Sequence, residues 1–140
     1  MLHLSAEVIT DSDFVRAFEA CTLAEFHHRD HVRAAWLYLR DRPVMGALEA
    51  FCTGLKRFAA ARGKPGLYHE TITWAFVLLI RERRERMPPG HSWEVFAAAN
   101  PDLLDWKESV LKRYYRESTL KSDFARRVFV LPDRILDAPE

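Results

Sequence analysis

The sequence predicts an all-α fold, a compact bundle of about five to seven helices with an irregular C-terminal strap. Three observations predict it. Apolar residues recur three and four apart in segment after segment, as in Leu48, Phe51, Leu55 and Phe58. Proline and glycine punctuate those segments at Arg42-Pro43, Gly63-Lys64-Pro65-Gly66 and Pro88-Pro89-Gly90. No stretch alternates apolar and polar residues as a half-buried strand does, and no segment repeats.

A chain of 140 residues is expected to form one domain, 1–140, that buries about two-thirds of its unfolded surface. Disorder requires low hydrophobicity or a large net charge; the chain is 49% hydrophobic with a formal charge of +1. The near-zero charge gives no field that draws nucleic acid or an anionic membrane. The densest basic run, Arg81 to Arg86, is broken by Glu82 and Glu85 and reads as the solvated end of a helix. Cys21 and Cys52 lack a Cys-x-x-Cys spacing, so two reduced thiols are expected. The first residues lack a basic region followed by a long apolar core, and the apolar run from Trp74 to Ile80 is too short to span a bilayer. A cytoplasmic protein is expected.

Residues 1–10 read as an extended lead-in. Thr10, Asp11 and Asp13 then offer cap oxygens and early acids to a short helix carrying Phe14, Val15, Phe18 and Cys21. The second helix has two candidate starts, Thr22-x-x-Glu25 and His27-x-x-Asp30, and its second half, Ala34 to Leu39, is apolar all round. Pro43 suits the first position of a third helix that stops at Gly63. The fourth runs from about Tyr68 to Pro88. Ser92 caps a short helix through Phe96, and Asn100-Pro101 starts another carrying Leu103, Leu104, Trp106, Val110 and Leu111. A short helix around Phe124 to Val128 precedes the strap.

Chemistry concentrates at two helix starts. His27, His28 and His31 fall within five residues, and Tyr68-His69-Glu70 opens the fourth helix. At about 100° per residue, Glu25, Arg29, Arg33 and Arg40 mark the wet side of the second helix, and all three histidines lie away from it. Side chains three or four apart stand on adjacent turns, so His28/His31 and His27/His31 are both candidate pairs. A third imidazole, His69, and the carboxylate of Glu70 would complete a set of N and O donors. That set suits a divalent zinc, iron, manganese or nickel ion. Tyr68, Thr71 and Thr73 are candidates to orient the ligands through hydrogen bonds, and Arg126 to clamp an anionic group.

The pattern Phe26-x-His28-x-x-His31-Val32-x-x-Ala35-Trp36-x-Tyr38-Leu39, followed by Tyr68-His69-Glu70-Thr71-Ile72-Thr73, resembles a family of small bacterial all-helical proteins. Leu111, Tyr114-Tyr115, Leu120, Ser122, Ala125-Arg126 and Pro132-Asp133 extend the likeness through the tail. The resemblance implies a signature of His28, His31, His69 and Glu70, treats His27 as a variable helix cap, and implies no particular activity. A looser likeness is to metal-binding helical bundles of the DinB type. The order here, a close histidine pair first and a lone histidine later, departs from that group.

The leading expectation is a metal-binding bundle, acting as an enzyme of hydrolysis, hydration or elimination on a small organic substrate. Glu70 would serve there as ligand or general base. The alternative is a metal-free module that binds a small ligand in the same His/Glu pocket. A purely structural role for the histidines is the third. Four tryptophans and nine phenylalanines exceed what a small bundle must bury, which makes a homodimer a further expectation.

Overall fold

A computed structural model describes residues 9–134. Among these residues there is no strand, and the helices pack around one contiguous core. The expected lead-in at residues 1–8, with His3, lies outside the described residues.

Helix α1 (Asp11–Glu19) starts at Thr10, whose hydroxyl accepts from the Asp13 N–H at 3.2 Å. It buries Phe14, Ala17 and Phe18. Helix α2 (His28–Asp41) takes the later of its two candidate starts, with His27 as the cap and the Asp30 carboxylate accepting the His27 backbone N–H at 2.9 Å. Its buried side chains run without a break from Val32 to Leu39, and it packs on α1, α3 (Val44–Ala61), α4 (Glu70–Glu85), α5 (Trp93–Ala99) and α6 (Pro101–Leu104). Burying Trp36 and Leu37 there stabilises the fold by about 2–3 kcal/mol each.

Arg33 corrects the expected wet stripe. It is buried, its guanidinium donating to the Ile9 carbonyl (3.0 Å) and the Asp11 carboxylate (2.9 Å) while lying over the Phe14 ring. A cation tolerates this position because the start of α1 supplies acceptors that the α2 sequence does not reveal.

Helix α3 follows Pro43, which sits at the cap, one position before the first helical residue. Its mid-helix Gly54 is explained by contact: a Cβ there would fall 2.6 Å from the Phe18 ring, which stacks on Phe26 and Phe58. The helix ends as expected at Gly63 (φ 71°), where Gly63 N–H bonds the Ala60 carbonyl and Lys64 N–H the Ala59 carbonyl. A 3-10 turn (Pro65–Leu67) then leads to His69, the cap of α4. Helix α4 therefore begins at Glu70, two residues later than the expected Tyr68, because His69 is held in extended backbone (φ −130°, ψ 110°).

Helix α6 corrects a second expectation. It stops at Leu104, since Asp105 takes extended backbone (φ −88°, ψ 109°) and its side chain reaches forward to accept the Glu108 N–H (3.1 Å), which competes with helix continuation. Val110 and Leu111 are buried from a separate 3-10 turn (Val110–Arg113). Helices α7 (Glu117–Leu120) and α8 (Asp123–Arg127) are short, and the strap from Val128 is pinned by backbone acceptors: Tyr115 donates to the Val130 carbonyl at 2.6 Å. No helix among the described residues is long and apolar enough to cross a membrane.

Candidate functional site

The starts of α2 and α4 face one cavity of about 740 Å³, open to solvent on one side. Its wall is mainly apolar, with Phe26, Leu55, Phe58, Ile72 and Phe76 among the lining side chains. His28, His31 and His69 all contribute to it, as do Tyr68 and Thr73. A cleft of this size and lining is the usual form of a small-molecule site.

The three imidazoles are held differently. His28 Nε2 lies 2.8 Å from the Leu103 carbonyl, so it carries the proton and donates. That carbonyl is fixed because Arg83 of α4 grips the Asp102 carboxylate through two nitrogens, at 3.0 and 2.8 Å. Arg83 thereby holds the Asp102 carboxyl down to about 2. Burial lowers the affinity of His28 for a second proton, against the opposing pull of the Leu103 carbonyl and the Asp105 charge. In its neutral form Nδ1 is then an acceptor.

The His31 ring, one turn on, lies tilted against Phe26 with ring centroids 4.2 Å apart, and its nitrogens have no hydrogen-bond partner among the described residues. Desolvation, aided by the neighbouring His28, pushes its pKa down to about 3. It is therefore a neutral imidazole at physiological pH, with one donor and one acceptor to offer.

His69 has both nitrogens engaged. Nδ1 accepts the Ile72 N–H at 3.1 Å, which leaves the proton on Nε2, and this donates to the Leu120 carbonyl at 2.7 Å. Glu70 does not line the cavity; its carboxylate accepts from the Tyr68 hydroxyl at 2.5 Å. Burial raises the Tyr68 pKa, with Cys52 and Glu70 adding to the shift, so the phenol keeps its proton. Among the described residues no three His, Cys, Asp or Glu side chains are grouped so as to hold a metal ion.

The remaining expected site residues separate. His27 is exposed and its ring points to Glu25 (3.1 Å), away from the cavity, because the cap position lies outside the helical face. Arg126 pairs with Asp123 on the surface at 2.6 Å and clamps nothing in the cavity. Tyr68 orients Glu70, not a histidine. Thr71 is fully buried and ties down the tail: its hydroxyl stands 2.7 and 2.9 Å from the Ala125 and Val128 carbonyls and accepts the Val130 N–H. Thr73 lines the cavity, its hydroxyl making no bond to protein among the described residues.

Sequence reasoning passed over the cavity mouth, where Arg62, Lys64, Leu67 and Trp106 join the wall. The available signal was adjacency: the loop Gly63-Lys64-Pro65-Gly66 leads straight into Tyr68-His69, so its cations must lie beside that end of the site.

No known protein family, curated protein or solved structure matches the chain.

Proposed function

We propose that the protein binds a small, mainly apolar organic molecule in this cavity without a metal ion, His28 and His31 supplying the polar contacts. The observation that carries the reading is His31, a neutral imidazole that lines a large apolar cavity and whose ring nitrogens meet no hydrogen-bond partner among the described residues. A half-buried polar group facing such a cavity is satisfied by water or by a ligand. The apolar wall supplies affinity, and the imidazoles select a hydroxyl, carbonyl or amide at the matching place.

The test is fluorescence titration with the neutral fluorophore aminoanthracene in EDTA. Saturable, blue-shifted emission is expected, abolished by Ala59→Trp, which fills the cavity from a half-exposed position. Absence of saturable binding, or binding indifferent to Ala59→Trp in a variant that melts normally, would defeat the reading.

A second reading rests on the three imidazoles lining one cavity. A divalent ion on His28, His31 and His69, with Glu70 as ligand or general base, would support hydrolysis, hydration or elimination. It requires the three rings to draw together, His69 to release either its cap bond or its bond to Leu120, and Glu70 to leave Tyr68 and turn into the cavity. Stoichiometric transition metal in protein purified without a His-tag, reduced by His69→Ala, would favour it over the metal-free site.

A further inference from the structure

The cavity wall is electrostatically one-sided. Its lining includes two permanent cations, Arg62 and Lys64, and no aspartate or glutamate. Both cations follow from the way α3 ends. The paired bonds that close the helix at Gly63 fix the backbone on either side, so Arg62 and Lys64 flank the turn at the mouth.

Arg62 is braced. One guanidinium nitrogen donates to the Leu23 carbonyl, and the group lies over the Phe58 ring, 4.6 Å from its centroid. Among the described residues neither Arg62 nor Lys64 meets a carboxylate, although eleven lysine or arginine pairs with a carboxylate form elsewhere, from Arg16–Asp13 to Arg127–Asp123. Two cations at the rim of an apolar cavity, without a counter-charge, complement an anion whose body is apolar. Deeper in, burial disfavours the charged forms of His28 and His31, so they provide no competing positive site. The side chains of Leu67, 72% exposed, and Trp106, 55% exposed, also line the cavity and extend its apolar wall to the surface.

Resting on the reading of the cavity as a small-molecule site, we propose that its ligand is an amphipathic carboxylate. The carboxylate sits at the mouth between Arg62 and Lys64, and the apolar body lies inward among Phe26, Leu55, Phe58 and Phe76. A guanidinium offers two parallel N–H donors to a carboxylate, and an ammonium adds a point charge; such bonds are roughly twice as strong as neutral ones. A cationic ligand of the same shape meets repulsion at the same place.

The experiment is displacement of bound aminoanthracene by three probes of one shape: naphthalene carboxylate, its neutral amide, and the corresponding methylamine cation. The carboxylate should bind about tenfold tighter than the amide, and the amine weakest. The advantage of the carboxylate should shrink as salt rises, while the affinity of the amide stays level. Arg62→Gln with Lys64→Gln should bring carboxylate and amide together. Because Arg62 also braces Leu23, the exposed Lys64→Glu serves as a second variant that leaves that bond in place, and it should lower carboxylate affinity alone. Amide binding as tight as carboxylate in the unaltered protein, or a preference surviving both variants, overturns the proposal and leaves the cavity reading standing. Failure of aminoanthracene itself to bind removes both.

Discussion

The two histidine-bearing helix starts look alike in sequence and do different work. His27 and His69 are both N-caps in extended backbone. His69 spends one nitrogen on the first turn of α4 and the other on a carbonyl 51 residues away in the chain. The His27 ring faces solvent beside Glu25, and the cavity-facing imidazoles of α2 come one and four positions later. The difference lies in the second nitrogen. A ring whose two nitrogens both meet protein is a fastener, and a ring left with a free nitrogen over a cavity is a recognition group. Residue type and helix position do not separate these cases.

The largest effect should come from His31. Its pKa falls from 6.5 unfolded to about 3 folded, so between those pH values the unfolded chain binds the extra proton and the folded chain does not. Stability is therefore full above about pH 6.5 and is lost as pH falls toward 3, by about 1.4 kcal/mol per pH unit. Urea unfolding at stepped pH should show this slope, and His31→Leu should flatten it. His28 contributes in the same direction, and Asp102 adds its loss only below its ordinary 3.8. A slope unchanged by His31→Leu would remove the distinction drawn between the two helix starts.

Next in size is His69→Ala, expected to cost about 2–3 kcal/mol: about 1 for the cap and the rest for the Leu120 carbonyl left without its donor. His69→Asn should recover the cap share alone. Thr71→Val tests the same fastening from inside α4. Losing a buried hydroxyl that serves three backbone groups should cost about 1–3 kcal/mol, and the Val130 amide should then exchange faster with deuterium. If Val130 stays protected, α4 does not hold the tail.

Much of the fold was legible because local chemistry decides it. Apolar spacing specified α3 and Gly63 marked a stop that only a left-handed residue completes, while Asp30 three residues after His27 marked one of two candidate starts of α2, between which the structure decides. What escaped was set by distant partners. Arg33 reads as solvated until Asp11 and the Ile9 carbonyl are beside it, and His69 reads as a free ligand until Leu120 arrives. His28, His31 and His69 were expected from helix faces to meet at a metal centre; they line one cavity, but among the described residues no three His, Cys, Asp or Glu side chains are grouped to hold an ion. The cations at the cavity mouth were not anticipated, because loop residues carry no periodicity from which to infer a direction.

The smallest effect closes the comparison from the other side. His27→Ala removes an exposed ring that pairs with Glu25 among the described residues, an ion pair of the kind that contributes about 0–1 kcal/mol when charged. The cap itself does not depend on the ring, since the Asp30 carboxylate takes the His27 backbone N–H, which alanine retains. The substitution should therefore change stability by no more than about 0.5 kcal/mol and leave aminoanthracene affinity unaltered. Denaturant midpoints and the fluorescence titration check both halves. A loss comparable to that of His69→Ala would mean that the α2 start leans on its cap ring as heavily as α4 does. The role of each histidine would then follow from its position at the helix mouth after all.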